Sequence, residues 1–396
     1  MGQIKPATRG QATITVSHRG ADRWRRGHPW IYRSDVADES GAGTAGVVHA
    51  IDLHGHFLGQ ALYSPASEIR LRLIERSDRP LDQAWWVAQL SACLARRGHI
   101  DASAWRAVHG EGDGLPSLVV DRYDRWLVVQ LLSAGLETMR EPILAALADV
   151  LAPDGILLRH DTGVRRHEGL DQEVVLAAGR VPEAIEVHEA GIRYLAAPWT
   201  GQKTGAFLDQ RPNRVRAGSL TAAGGRALDC FAYHGSFALH LARRAAQVVA
   251  LDSSADALAR GAANAALNGQ GNIEWREADA FEALRAMDRA RERFDLVVVD
   301  PPAFAKSRQA LAQALRGYHE VNLRAMRILA PGGVLLTASC SFHLRRPEFY
   351  AMLAGAAADS GRRLQVLEYL GQGVDHPELA TVPETGYLKG VVFRAW

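Results

Sequence analysis

From about residue 195 onward the chain alternates between apolar strands and amphipathic helices, and few architectures accept that rhythm. RALDCF is followed by the helical SFALHLARRAA, then QVVALD, the helical SADALARGAANAALNG, IEWREAD, a further helix and FDLVVVD. A long helix at roughly 309–329 leads to GGVLLTASC, and RLQVLEYL and YLKGVVFRAW close the chain. Strands apolar on both faces must be covered on both sides, so the pattern predicts an α/β fold with a doubly wound parallel sheet over 191–396. In such a sheet ligands bind beyond the carboxyl ends of the strands. The polar residues that end each strand are therefore the place to look for function.

The first 190 residues read differently. ATITVS, AGVVHAIDLHG, HFLGQALYS and IRLRLIER are short β-rich runs separated by Gly and Ser, which predicts a small β barrel or sandwich over 1–80. Within it RGADRWRRGHPWIYRS interleaves arginines with aromatic rings. Arg25, Arg26, His28 and Trp30 are candidates to hold phosphates and stack bases, against the alternative of a solvated loop with buried tryptophans. Residues 81–190 predict a middle α+β domain: LDQAWWVAQLSACLARRG and MREPILAALADVLAPDG as helices, GDGLPSLVVDRYDRWLVVQLLS as two strands joined near Tyr123-Asp124.

Cys93, Cys230 and Cys340 are the three cysteines and show no metal-ligand or disulfide-framework spacing. No metal is expected, and a reducing cytoplasm is the expected compartment. MGQIKPATRG lacks an apolar signal region, and no apolar run reaches the ~18 residues of a membrane span, so no membrane partner is expected. Of the 46 basic residues only Lys5, Lys203, Lys306 and Lys389 are lysines. Lys203 and Lys306 fall inside motif-like segments, a weak sign that a flexible point charge is needed there.

Four successive strands end in an acid: Asp229, Asp252, Asp279 and Asp300. The turn after Asp229 contains Phe231, Tyr233 and a single glycine, Gly235, rather than GxGxxG, which argues against a dinucleotide pyrophosphate. Asp252 follows about 20 residues later, the spacing of a ribose-binding acid. Four carboxylates would repel phosphates but suit a nucleoside that carries positive charge, and S-adenosylmethionine has both an ammonium and a sulfonium. The competing reading is that these acids cap helices, since Asp is a favoured N-cap. Ser253, Ala280 and Pro301 adjoin the acids and join the candidate cofactor site.

After Asp300 comes PPAFAKSR. Two prolines fix an extended backbone, and Phe304 offers a ring to stack on a base, with Lys306 and Arg308 beside it. The segments WTGQKTGAFLDQRPNR, DCFAYHGSFALHLA, VDPPAFAKSR, TASCSFH and DHPELATVPETGYLKG, in this order, closely resemble the bacterial 23S rRNA cytosine-5 methyltransferases that carry an N-terminal PUA domain. HPWIY, LYSPASEIRLRL, GEGDGLPSLVVDRY and LLSAGLE extend the resemblance over essentially the whole chain. It implies a PUA-like domain over 1–80, the middle domain over 81–190 and a Rossmann-like class I methyltransferase domain over 191–396. It also implies S-adenosylmethionine as cofactor and 23S rRNA, or a large-subunit assembly intermediate, as partner. A homodimer is left open. The chain departs from the family at Phe342-His343, where many relatives have Gly, and at His234-Gly235-Ser236, where close relatives have Thr-Gly-Gly.

Carbon 5 of cytosine is a poor nucleophile until a thiolate adds to carbon 6, so the implied reaction needs a cysteine at a strand end that faces the crevice. Cys340, in TASCSFH, meets this requirement. Cys230 lies inside the first motif and Cys93 in a helix of another domain. Asp300 would hydrogen-bond the cytosine amine. The base that removes the carbon 5 proton is open among His343, Asp300 and water. Gln210 lies where related enzymes contact the cofactor, and Lys203 and Arg214 are candidates for that ligand or for RNA phosphates. Two other functions compete: methylation of an exocyclic amine, for which Cys340 would be structural, and a non-catalytic ribosome-assembly factor.

Overall fold

The computed structural model describes residues 11–305 and 307–396, so the expectations for the first ten residues and for Lys306 fall outside the described residues. The described residues form two compact units. One holds the chain up to Ile185 together with Ala196–Ala206 and Val374–Thr385; the other holds Glu186–Leu195, Phe207–Gly373 and Gly386–Trp396. No described helix is long and apolar enough to cross a membrane.

The first unit opens with β1 (Thr13–Val16), α1 (His18–Arg25), β2 (Trp30–Tyr32), β3 (Val36–Asp38), β4 (Gly46–Ile51), β5 (Phe57–Tyr63) and β6 (Ile69–Glu75). Among the described residues these make one six-stranded sheet in the order β2-β6-β5-β4-β1-β3. Period-2 alternation in β1 sends Ile14 and Val16 inward, onto Trp24, Ile31 and Leu71. The segment RGADRWRR is helical rather than a loop. Ser17 caps α1 by accepting from the Gly20 amide, and Trp24 is buried with its indole N–H on the Pro29 carbonyl at 2.9 Å.

The same unit continues with α2 (Gln83–Ala95), β7 (Ala104–His109), β8 (Leu118–Tyr123), β9 (Trp126–Leu131), the single turn α3 (Ala134–Glu137), α4 (Arg140–Leu151), β10 (Gly155–Arg159), the turn α5 (Val164–His167) and β11 (Val174–Gly179). The sheet order is β11-β10-β9-β8-β7. Trp86, Leu90, Val129, Ile143, Leu147 and Leu158 pack α2 and α4 on it.

The second unit begins with the hairpin β12 (Ile185–Glu189) and β13 (Ile192–Ala196), then α6 (Arg211–Leu220). It continues with β14 (Arg226–Cys230), α7 (Ser236–Ala242), β15 (Gln247–Asp252), α8 (Ala255–Leu267), β16 (Ile273–Glu277), α9 (Ala280–Arg289), β17 (Phe294–Val299) and α10 (Leu311–Arg327). β18 (Leu329–Ser339), α11 (Arg346–Ser360), β19 (Leu364–Leu370) and β20 (Lys389–Ala395) complete it. Among the described residues the sheet has seven strands in the order β16-β15-β14-β17-β18-β20-β19. The five strands from β16 to β18 are parallel, and β20 runs antiparallel to both β18 and β19. The sheet is therefore α/β and doubly wound with an antiparallel end.

Alternate residues of one strand feed two different cores. Val297 and Val299 join Tyr318, Met326, Leu335 and Phe349 on one face, while Leu296 and Val298 join Ala238, Leu241, Val248 and Leu336 on the other. This burial on both faces is why the strands read as unbroken apolar runs. Strand order reverses between β14 and β17, so the carboxyl ends of these two neighbours flank a crevice.

Candidate active site

β14 delivers Asp229 and Cys230 to that crevice, and the chain then turns sharply. Phe231 and Tyr233 adopt positive φ (65° and 51°), a conformation that strains residues with a side chain and that clusters at functional sites. Gly235 also has φ of 80°, and a Cβ there would lie 2.3 Å from the Trp275 ring. This glycine therefore also lets α7 pack against β16.

Asp229 is buried, with one oxygen accepting the Ala238 amide at 2.9 Å and the other without a partner. Burial pushes its carboxyl well up, the Ala238 bond opposes this, and neighbouring Asp300 and Asp252 push it further. Three carboxyl groups thus influence one another at these strand ends, and the second oxygen of buried Asp229 has no partner among the described residues. Asp252 accepts the amides of Tyr233 (2.8 Å) and Ser254 (2.9 Å), and Asp279 caps α9 through the Glu282 amide. The capping reading and the ligand reading therefore both describe these acids. Ser253 is exposed, Ala280 and Pro301 are buried beside the acids, and Tyr233 carries Arg260 over its ring at 5.2 Å.

Asp300 follows β17. Gln210 donates to its Oδ1 at 2.8 Å and accepts from Asn213 at 2.6 Å, so the Gln210 amide is turned onto the catalytic candidate. Phe304 lies among Tyr318, Phe281 and Phe231, with ring centroids 4.7, 5.8 and 6.3 Å away. It is half-buried, so one part of the ring packs while another faces out.

The residues on either side of Cys340 explain its position. Ser339 and Ser341 are both buried. The Ser339 hydroxyl donates to the Tyr318 hydroxyl at 2.9 Å, and Tyr318 and Ser341 share a bond of 2.8 Å. The Ser341 oxygen also accepts the Ala305 amide at 3.2 Å, which ties the Asp300 loop to the TASCSFH segment. Between these two buried serines Cys340 is half-buried, and it alone of the three cysteines is not fully buried. Register places Val299 beside Thr337, so the backbones of Asp300 and Cys340 are roughly 8 Å apart at ideal strand geometry. Burial pushes the Cys230 thiol far up, and burial followed by Asp113 raises Cys93 to about 11, so neither is a nucleophile near neutral pH.

A Tyr318→Phe variant is expected to lose about 1–3 kcal/mol, because two buried serine hydroxyls lose their shared partner. A denaturant midpoint unchanged from wild type would refute that accounting.

Arg214 was a candidate for cofactor or RNA phosphate, and the structure corrects this. It is buried, and its guanidinium is spent on Glu189 (2.7 and 2.5 Å) and the Phe207 carbonyl (2.7 Å). Lys203 is exposed with φ of 54°. At the end of α1 Arg25 pairs with Asp52 at 2.9 Å and the largely exposed Arg26 with Asp22 at 2.9 Å. His28 lies 3.4 Å from Glu384, and Trp30 donates to Glu111 at 2.9 Å. Each of the four therefore already has an acidic partner. Tyr318, Asn213 and Lys389 were missed by the sequence reading. Lys389 left one signal, as a lysine in a chain that otherwise uses arginine.

Residues 130–394 match the family model described as S-adenosylmethionine-dependent methyltransferase, and residues 14–76 match the PUA-like domain. Ribosomal RNA large subunit methyltransferase I of Klebsiella pneumoniae is 38% identical over 93% of this chain and 94% of its own length. That of Tolumonas auensis is 39% identical, over 93% and 96%. This chain belongs to the ribosomal RNA large subunit methyltransferase I family. Among solved structures, a Streptococcus mutans protein assigned as a SAM-dependent methyltransferase shares the fold at 20% identity and a TM-score of 0.82, over 97% of this chain and all (100%) of its own. A second, solved with SAH bound, superposes with a TM-score of 0.84 at 20% identity, again over 97% and 100%. Family membership makes S-adenosylmethionine the cofactor, and the acids Asp229, Asp252 and Asp300 suit a ligand that carries positive charge.

Proposed function

We propose that this chain methylates carbon 5 of a cytosine in 23S rRNA through a covalent adduct on Cys340. Methylation of large-subunit rRNA is the activity its relatives are named for. The observation that carries the finer reading is the serine–tyrosine knot. It ties the buried residues on either side of Cys340 to the Asp300 loop, and Cys340 is the one cysteine that is not fully buried. In this reading the PUA-like region over 1–80 and the middle domain over 81–190 hold RNA for the domain over 191–396.

Asp229, Asp252 and Asp279, with Phe231, Tyr233, Gly235, Ser253, Ala280 and Pro301 around them, would line the cofactor's place. When bound, S-adenosylmethionine supplies an electrophilic methyl group. The Cys340 thiolate adds its electron pair to carbon 6, and the carbon 5–carbon 6 π pair makes carbon 5 the nucleophile. Asp300, held by Gln210, takes the hydrogen bond of the cytosine amine and stabilises the charge that grows during addition. After carbon 5 is methylated, loss of its proton to a base restores the double bond and expels the thiolate. RNA contacts fall to Phe304, to Lys203 and to Arg25 and Arg26, whose side chains stay largely exposed beside their acids; Lys306 is proposed from sequence alone.

The test is methyl transfer from labelled S-adenosylmethionine to 23S rRNA that lacks the modification, followed by digestion to nucleosides. The label is expected in 5-methylcytidine. Label in an N-methylated nucleoside would transfer the reading to exocyclic-amine chemistry, which needs no thiol.

A further inference from the structure

Lys389 is buried at the start of β20 and, across the antiparallel pair with β18, faces Ser339. Its Nζ donates to the Ser341 carbonyl at 2.6 Å and to the Tyr387 carbonyl at 3.0 Å. The side chain thus begins opposite the residue before Cys340 and ends on the carbonyl of the residue after it. An ammonium carries three donors and a full charge, and two carbonyls satisfy donors without neutralising the charge. Among the described residues no carboxylate lies within ion-pairing distance of this Nζ. A buried, uncompensated ammonium is costly, and such groups concentrate at functional sites.

We propose that Lys389 is a positioning residue whose ammonium serves as counter-charge to the Cys340 thiolate, stabilising it both before attack and on departure. Ionisation of Cys340 sends its proton to solvent water and breaks no bond at the lysine. Among the described residues, Tyr318 of α10 and Arg346 and Glu348 of α11 are ionisable groups that act on this pair. Burial lowers Lys389 to about 8; Cys340 opposes that effect most, Arg346 adds to it and Glu348 opposes it. A thiolate and this ammonium are therefore mutually supporting.

The inference rests on Cys340 being the nucleophile, but its test uses neither RNA nor methyl transfer. Alkylation of Cys340 by iodoacetamide in the full-length protein is followed by mass spectrometry from about pH 5 to about pH 10. The wild-type midpoint is expected below the ordinary thiol value of about 8.5. Lys389→Met should raise it and slow alkylation at neutral pH by about tenfold or more, with the high-pH plateau unchanged. Lys389→Gln can still donate to the two carbonyls without carrying the charge, and the same rise is expected. A wild-type midpoint at or above about 8.5, which needs no variant to fold, overturns the proposal. So does a Lys389→Gln profile that coincides with wild type, since the lysine would then only pin the loop. Failure of the cytosine-5 reading is seen separately, in the methylated nucleoside.

Discussion

A Cys340→Ala variant is expected to bind S-adenosylmethionine as wild type does and to transfer methyl groups to rRNA more slowly by on the order of 10³-fold or more. Removing a group that forms a covalent intermediate removes the whole pathway, not one interaction among many. Cys340 is only half-buried, whereas Cys93 and Cys230 are both fully buried members of hydrophobic clusters. Alanine at 340 should therefore leave the fold and the acids of the cofactor crevice in place. Cofactor affinity by calorimetry and label incorporation into rRNA, measured on one preparation, read the two halves of this expectation. Near-wild-type methylation by the variant would make Cys340 a packing residue and pass the acceptor role to an exocyclic amine.

The second large effect concerns stability. Arg214→Met should cost about 3–5 kcal/mol, because it leaves the Glu189 carboxylate buried without its charge partner. His240, at 3.1 Å, and the Tyr194 hydroxyl, at 3.3 Å, would remain beside it, neither with the charge of a guanidinium. Burial alone would push the Glu189 carboxyl up; the Arg214 charge and the hydrogen bonds from His240 and Arg214 outweigh that and lower it to about 2. The sign follows from linkage. A carboxyl whose pKa is depressed in the folded protein adds stability that is complete above its unfolded value. That stability is lost as pH falls from there through the folded value. Wild type should lose about 3 kcal/mol between about pH 5 and pH 2 through this group. Arg214→Met should lack most of that dependence. Urea midpoints of both proteins across that range check it, and parallel curves would show that the pair carries no net stabilisation.

Local patterns carried much of the architecture. LVVVD and VVALD are apolar without interruption because each strand feeds two cores, and that signal needs no knowledge of contacts. The acids that end four strands were equally legible as residue types. Whether each caps a helix or awaits a ligand was not, and Asp279 at the N-terminus of α9 and the half-satisfied Asp229 differ only in three dimensions. Arginine among aromatics in RWRRGHPW suggested a nucleic-acid surface, yet Asp52, Asp22, Glu384 and Glu111 meet four of its residues. All four acids lie outside that stretch, three of them far along the chain, so inspecting it alone could not find them.

The sequence by itself determined the order of strands and helices, the acids at the strand ends and a cysteine between two serines. These are properties of short stretches, set by periodicity and residue chemistry. Tertiary structure alone decided which charges are spent and which groups are accessible. Arg214 meets Glu189 across 25 positions, Tyr318 meets Ser341 across 23 and Lys389 meets Ser341 across 48. Burial makes each of those pairings matter, since a polar group away from water must find a partner wherever the fold brings one, however distant in the chain.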